Sequence, residues 1–370
     1  MTTAIPRVVR PWSRRLRGET GAGTLEYIGM TALAAGLVFG LLLTGAGERL
    51  ADRLSASVCQ VLRVDDCPMF DTAASGDPGV PTKTPLEQAT EGRYVAMGDS
   101  YSSGEGAGDY QKGTDFDDRD DFWPFNDDEE AHNRCHRSLS TYSQLLNDRY
   151  HFKGGAIFTA CSGARLSDLT DPNHSNTGEG PQLESLDKDT SLATISIGGN
   201  DLGFAEIVQA CIVNGAHGVP GVASCQETYE PQMASRLADL KGRLIEQYRA
   251  MKDKAPNARI IIMGYPHLFV ENPTDSFGRL LFKEDQLWMN EKGDLLNAML
   301  QATAEEAGVE FVDPTTAFKG HELGSRDPWI NDLNFGGPGM MIVDPGSFHP
   351  NAQGQSVMAD LMGDQIEKPK

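Results

Sequence analysis

Positive charge is scarce in this sequence: 32 Lys and Arg stand against 53 Asp and Glu over 370 residues, a formal net charge of −21. Binding nucleic acid requires clustered basic side chains that displace counterions from phosphate, so that class of partner is set aside. The acidity reads instead as a soluble, self-repelling surface. Metal-binding signatures are also missing. The six cysteines, Cys59, Cys67, Cys135, Cys161, Cys211 and Cys225, form no CxxC pair, and His321-Glu322 has no second histidine four residues after His321. Neither a zinc site nor any other metal or cofactor is expected. The acidic run DFDDRDDFWPFNDDEE, residues 115–130, lacks the central glycine of an EF-hand loop. It reads as a solvated insertion, in which Trp123 and Phe125 suit a cleft wall or a loop anchor. There is no internal repeat, and no A-x-A-like cleavage site follows the N-terminal apolar stretch.

That stretch is the first feature that is present. Arg7, Arg10, Arg14, Arg15 and Arg17 precede YIGMTALAAGLVFGLLLTGAG, residues 27–47, which is uncharged. Its length is near that of a membrane helix, and the basic flank predicts a cytoplasmic N-terminus with the chain after Ala46 outside. The expected organisation is a basic cytoplasmic segment over 1–26, a single transmembrane helix over 27–47, an extension and flexible linker over 48–92, and an extracellular globular domain over 93–370. The junction GAGTLEY, residues 21–27, resembles the processing site of Flp-type pilins and related class III prepilins, which are cut after a glycine and carry Glu-Tyr at the fifth and sixth mature positions. By that resemblance a prepilin peptidase cuts after Gly21, leaving Ala22 first, with Glu26 and Tyr27 at those positions. A carboxylate at Glu26 also favours a helix start. An even cysteine count in an exported chain favours disulfides, of which fifteen connectivities are open. Proximity suggests 59–67 and 211–225, which leaves 135–161.

Beyond the linker, short apolar runs recur: YVAMG 94–98, AIFTA 156–160, LATISIG 192–198, RIIIMGY 259–265 and VEFVD 309–313. Between them, residues 233–255 and 284–308 place apolar side chains at helical spacing with charges opposite. Strands alternating with helices predict a three-layer α/β/α sandwich around a central parallel sheet. In such sheets ligands bind at the carboxyl ends of the strands.

Four patches near those ends carry chemistry. Gly98-Asp99-Ser100 closes the first run. TACSGARLSDL, residues 159–169, places Gly163 after the second. SIGGNDLGF, residues 196–204, presents the amide of Asn200. DPGSFHPNAQG, residues 344–354, sets His349 before a predicted C-terminal helix. An esterase needs an activated hydroxyl, a base for its proton and fixed donors for the developing oxyanion. Each patch has a plain alternative: Ser100 in a polar turn, Asn200-Asp201 as a helix cap, His349 at a helix start.

The four patches, in this order, resemble the SGNH hydrolase superfamily, also called GDSL esterases and lipases, over roughly residues 93–365. The resemblance implies a flavodoxin-like fold, Ser100 as nucleophile, the N–H groups of Ser100 and Gly163 with the Asn200 side chain as oxyanion donors, and His349 as general base. HNRCHRS, residues 132–138, and the cysteine before Ser162-Gly163 resemble the secreted, disulfide-bearing branch, which supports the 135–161 pairing. Many members carry Asp three residues before the histidine; here that position is Gly346. A Ser-His dyad oriented by the Gly346 carbonyl is expected, with Asp344 the alternative orienting group. The implied function is hydrolysis of carboxylic esters, either acyl esters of lipids or acetyl esters of sugars, without cofactor or metal. The rival is a pilin-like surface protein whose hydrolase domain only binds.

Overall fold

A computed structural model of the chain describes residues 83–116, 133–176, 178–217, 224–274, 281–336 and 342–369. Five strands form one sheet: β1 (Arg93–Gly98), β2 (Ala156–Phe158), β3 (Thr190–Ser196), β4 (Arg259–Met263) and β5 (Glu310–Val312). All pair in parallel, in the order β2-β1-β3-β4-β5. Each of the five apolar runs read from the sequence overlaps one of them. Every residue of β3 and of β4 is buried, as a parallel sheet covered on both faces requires.

The covering helices are α1 (Pro85–Thr90), α3 (Tyr142–Arg149), α5 (Phe204–His217), α6 (Cys225–Lys254), α7 (Lys283–Ala307) and α9 (Ala352–Glu367). Single turns α2 (Ser100–Ser103), α4 (Gly199–Leu202) and α8 (Thr315–Phe318) complete the set. The two long helices α6 and α7 pack on each other, and α9 packs on α3 and α1. Helix α6 begins eight residues before the expected 233, because Ser224 and Glu227 form a capping box and the helix runs on through Pro231. Proline usually marks a boundary, which hides this extension in the sequence. The part of the expected linker that is described is also ordered: α1 starts at a Thr84–Glu87 capping box and buries Ala89.

The strand order reverses between β1 and β3, which end side by side with Gly98 opposite Ser196. A crevice opens at such a switch point. Gly98 has φ +122°, and a Cβ there would stand 2.3 Å from the Ser196 carbonyl oxygen, so only glycine lets the two strand ends approach.

The expected membrane architecture is corrected. No helix among the described residues is long and apolar enough to cross a membrane. The longest, α6 and α7, carry charged residues along their length. The fold class that the structure carries is an α/β fold with a central parallel sheet. The transmembrane helix, the membrane as a partner and the single-pass localisation are not retained. Residues 27–47, the processing site at 21–27, Cys59, Cys67 and positions 117–132 lie outside the described residues.

Candidate active site

Ser100 is the first residue of α2, directly beyond β1. Its turn is built by Asp99, whose carboxylate accepts the Tyr101 N–H at 3.1 Å as a helix N-cap. Gln182 grips the strand end just before it: its side chain accepts from the Gly98 N–H at 2.6 Å and donates to the Gly98 carbonyl at 3.0 Å. Ser100 is thus held on a fixed backbone and is 7% exposed.

His349 lies in the loop before α9, 249 residues along the chain, and its Nε2 is 2.8 Å from Ser100 Oγ. Three contacts fasten that loop to the serine turn. Tyr101 donates its hydroxyl to the Phe348 carbonyl at 3.0 Å, and its ring lies 5.3 Å from the imidazole. Gln355, buried on α9, donates to the Tyr101 carbonyl at 3.1 Å and accepts from the Tyr142 N–H at 2.9 Å.

The other imidazole nitrogen departs from expectation. Nδ1 is 3.0 Å from the Ser347 carbonyl, which therefore orients the ring in place of the Gly346 carbonyl. The Gly346 carbonyl is engaged elsewhere, accepting from the Asn331 side chain at 3.2 Å and from the His349 N–H at 3.3 Å. The Asp344 carboxylate caps its own turn, accepting from the Gly346 N–H at 2.8 Å. An acceptor on the ring's N–H keeps Nε2 free to take a proton. Burial pushes the His349 pKa down, opposed by the negative charge of Glu105 and by the Ser347 and Pro345 carbonyls.

This placement makes Asp344→Asn a mild change. We expect a loss of less than about tenfold in kcat/KM with the fold preserved, against the roughly 10⁴-fold loss typical of a triad aspartate. Steady-state kinetics with a circular dichroism control would read it. A thousandfold loss in a folded variant would instead make Asp344 the orienting group.

Asn200 follows β3 and lies within α4, whose N-cap is Gly198, so the asparagine does not cap it. One of its amide N–H groups donates to the Ala164 carbonyl at 3.0 Å. A primary amide has two such donors, so this bond fixes the group and leaves the second for another acceptor. Asp201 ties the same two segments together, accepting from the Leu166 N–H at 2.9 Å and from Arg243 at 2.8 Å.

Gly163 sits in the turn after β2 at φ +78°, a conformation that glycine adopts without steric cost. Its neighbours are anchored: Cys161 N–H donates to the Gly98 carbonyl and Ser162 N–H to the Cys135 carbonyl, both at 3.0 Å. Among the described residues, the Gly163 N–H meets no acceptor. Disulfides join Cys135 to Cys161 and Cys211 to Cys225, as expected.

Tyr265 escaped the sequence reading. Its hydroxyl donates to Asp99 at 2.5 Å and accepts from the Gly199 N–H at 3.1 Å, linking the serine turn to the asparagine turn. Asp99 is fully enclosed; burial raises its pKa to about 7 despite that bond. Tyr265 closes the quoted run RIIIMGY, but nothing in its local spacing marks a partner 166 residues away.

Ser100, Asn200 and His349 border a cavity of about 240 Å³ that continues between α5, α7 and the His349 loop. Gly163 does not line it. Residues 96–357 match the model of the GDSL-like Lipase/Acylhydrolase family. Lipase 1 of Streptomyces coelicolor is 34% identical over 278 residues, covering 75% of this chain and 88% of that protein. A lipase of Streptomyces rimosus is 30% identical over 304 residues, 82% of this chain and 94% of that one. Among solved structures, an extracellular lipase of S. rimosus has a TM-score of 0.55 at 29% identity, covering 74% of this chain and 99% of that chain. A phospholipase A1 of Streptomyces albidoflavus has a TM-score of 0.54 at 31% identity with the same coverages. With two facing groups suited to ester cleavage and a family match over most of its length, the chain belongs to the GDSL-like lipase/acylhydrolase family and is a serine hydrolase acting on ester bonds.

Proposed function

We propose that the chain hydrolyses acyl esters of lipids, with Ser100 as nucleophile and His349 as its base. The observation that carries this reading is the 2.8 Å contact between His349 Nε2 and Ser100 Oγ at the mouth of an apolar cavity. Phe204, Val208, Ile212, Leu268, Met289 and Phe348 supply apolar wall on the way in. Such a wall suits a hydrocarbon chain and offers few partners for the hydroxyls of a sugar.

Neutral His349 takes the Ser100 proton at Nε2 as Oγ attacks the ester carbonyl. The imidazolium formed is held through Nδ1 by the Ser347 carbonyl. The developing oxyanion is met by the Ser100 N–H and the free amide donor of Asn200; the Gly163 N–H, from a turn outside the cavity lining, is the third donor that the family resemblance implies. His349 returns its proton to the leaving alcohol, and water repeats the sequence on the acyl-enzyme. The family membership sets aside the purely binding protein.

An ester panel of increasing acyl length, with Ser100→Ala as blank, tests the substrate class. A buried methylene contributes about 0.8 kcal/mol. We expect kcat/KM to rise about fourfold per added methylene until the cavity is full. A preference for acetylated sugars over every longer acyl ester would overturn the lipid reading. Processing after Gly21 is a separate reading of residues 21–27 alone, and N-terminal sequencing would show Ala22 if it occurs.

A further inference from the structure

His349 has a carbonyl at Nδ1 where many serine hydrolases have a carboxylate, so the imidazolium formed during reaction lacks a negative partner on its ring. A carboxylate is nonetheless close by. Glu105 is 1% exposed, one turn beyond Ser100. Its Oε2 is 2.5 Å from Nδ1 of His136, itself 6% exposed, and its Oε1 accepts from the Tyr110 hydroxyl at 3.2 Å. The Ser162 side chain, beside Gly163, also favours the ionised form of that carboxylate. The next residue, Gly106, packs against the base: a Cβ there would stand 3.0 Å from His349 Cβ and 2.9 Å from the Gly346 oxygen. Asn331 clamps the two loops, donating to the carbonyls of Gly106 at 2.7 Å and Gly346 at 3.2 Å.

We propose that Glu105, locked by His136, is a positioning residue that stabilises the His349 imidazolium from outside the hydrogen-bonded dyad. This rests on His349 being the base. The pair is built for permanence. His136 is held at φ +43°, uncommon for a residue other than glycine, by its N–H bond to the Thr114 carbonyl at 2.6 Å and by the neighbouring Cys135–Cys161 disulfide. Tyr110 stacks on its ring at 4.9 Å, and its Nε2 is 3.1 Å from the Phe116 carbonyl.

Burial alone would push the Glu105 carboxyl up. The hydrogen bond and charge of His136, with the charge of His349 and the Ser162 hydroxyl, outweigh it and hold the group below its ordinary value, hence ionised. Its charge raises the His349 pKa, and the charge of His136 lowers it. Among the described residues, Tyr101 and Ser100 from α2, the Ser347 and Pro345 carbonyls, and Asp344, whose charge reaches Tyr110, also face this network.

A negative charge beside an imidazole favours the protonated form, so deleting it lowers that pKa. Activity requires neutral His349, so the acidic limb of kcat/KM should move to lower pH. In Glu105→Gln we expect a shift of about one unit and a plateau kcat about 10- to 100-fold lower, with KM for a short soluble ester unchanged. Glu105→Asp, which keeps the charge, should return the limb to within about 0.3 unit of wild type. NMR titration of the His349 imidazole in a Ser100→Ala background should show the same shift without relying on turnover. That separates this proposal from the assignment of His349 as base, which falls only if His349→Ala stays active. A folded Glu105→Gln with lower kcat but an unmoved limb and an unmoved His349 titration would reduce the pair to a structural role and overturn the proposal. If Glu105→Gln does not fold, His136→Gln, which keeps a donor for Glu105, decides: the His349 titration should move upward, and an unmoved one overturns the proposal.

Discussion

Ser100→Ala is expected to lower kcat/KM for a soluble ester by roughly 10⁴- to 10⁶-fold, and His349→Ala by a similar factor. The two groups would act as one unit: without the hydroxyl there is nothing for the base to activate, and without the base the hydroxyl is a weak nucleophile at neutral pH. The double variant should therefore be scarcely worse than either single one. The fold should survive, because among the described residues the Ser100 side chain carries no structural bond besides the one to His349. The cap of α2 comes from Asp99, and the His349 loop keeps its ties through Tyr101 and Gln355. Circular dichroism and the melting temperature check this. Labelling by a fluorophosphonate probe should vanish in Ser100→Ala. Full ester hydrolysis by a folded Ser100→Ala would sink the assignment of the nucleophile.

The second large effect is expected at Asn200. Asn200→Ala should lower kcat by roughly 10²- to 10³-fold and change KM little, the usual consequence of losing one oxyanion donor. The selectivity for kcat follows from the reaction coordinate: the carbonyl oxygen gains its charge, and so its need for a donor, only as Ser100 attacks. The substitution also removes the bond to the Ala164 carbonyl, but Asp201 still holds this segment through Leu166 and Arg243. The Gly163 turn should therefore stay in place. Steady-state kinetics on one short ester distinguish the roles. A raised KM with kcat intact would make Asn200 a contact for the bound substrate instead.

Much of the fold was legible because short, β-branched runs and amphipathic helices are local patterns. The five strands coincide with the five apolar runs, since a doubly covered parallel strand is apolar on both faces. Helix α5 was not delimited from the sequence, although its buried Ile207, Val208, Cys211 and Ile212 recur at helical spacing opposite the exposed Glu206 and Gln209. The disulfides followed the expected pairing for Cys135–Cys161 and Cys211–Cys225. Length and hydropathy alone point to a membrane span over residues 27–47, which lie outside the described residues; no described helix is long and apolar enough to cross a membrane.

By itself, the sequence determined which residue types were available for ester chemistry and where each would stand relative to a strand end. Ser100, Gly163, Asn200 and His349 each follow from a short motif beside a predicted element. Tertiary structure alone decided their relations. The Ser347 carbonyl takes Nδ1 of His349 because Asn331 occupies the Gly346 carbonyl and Asp344 turns to its own loop. Tyr265 meets Asp99, and Glu105 meets His136, through contacts 166 and 31 residues apart in the chain. Hydrogen bonds act over about 3 Å, and local periodicity carries no information about which distant side chain will fill that distance.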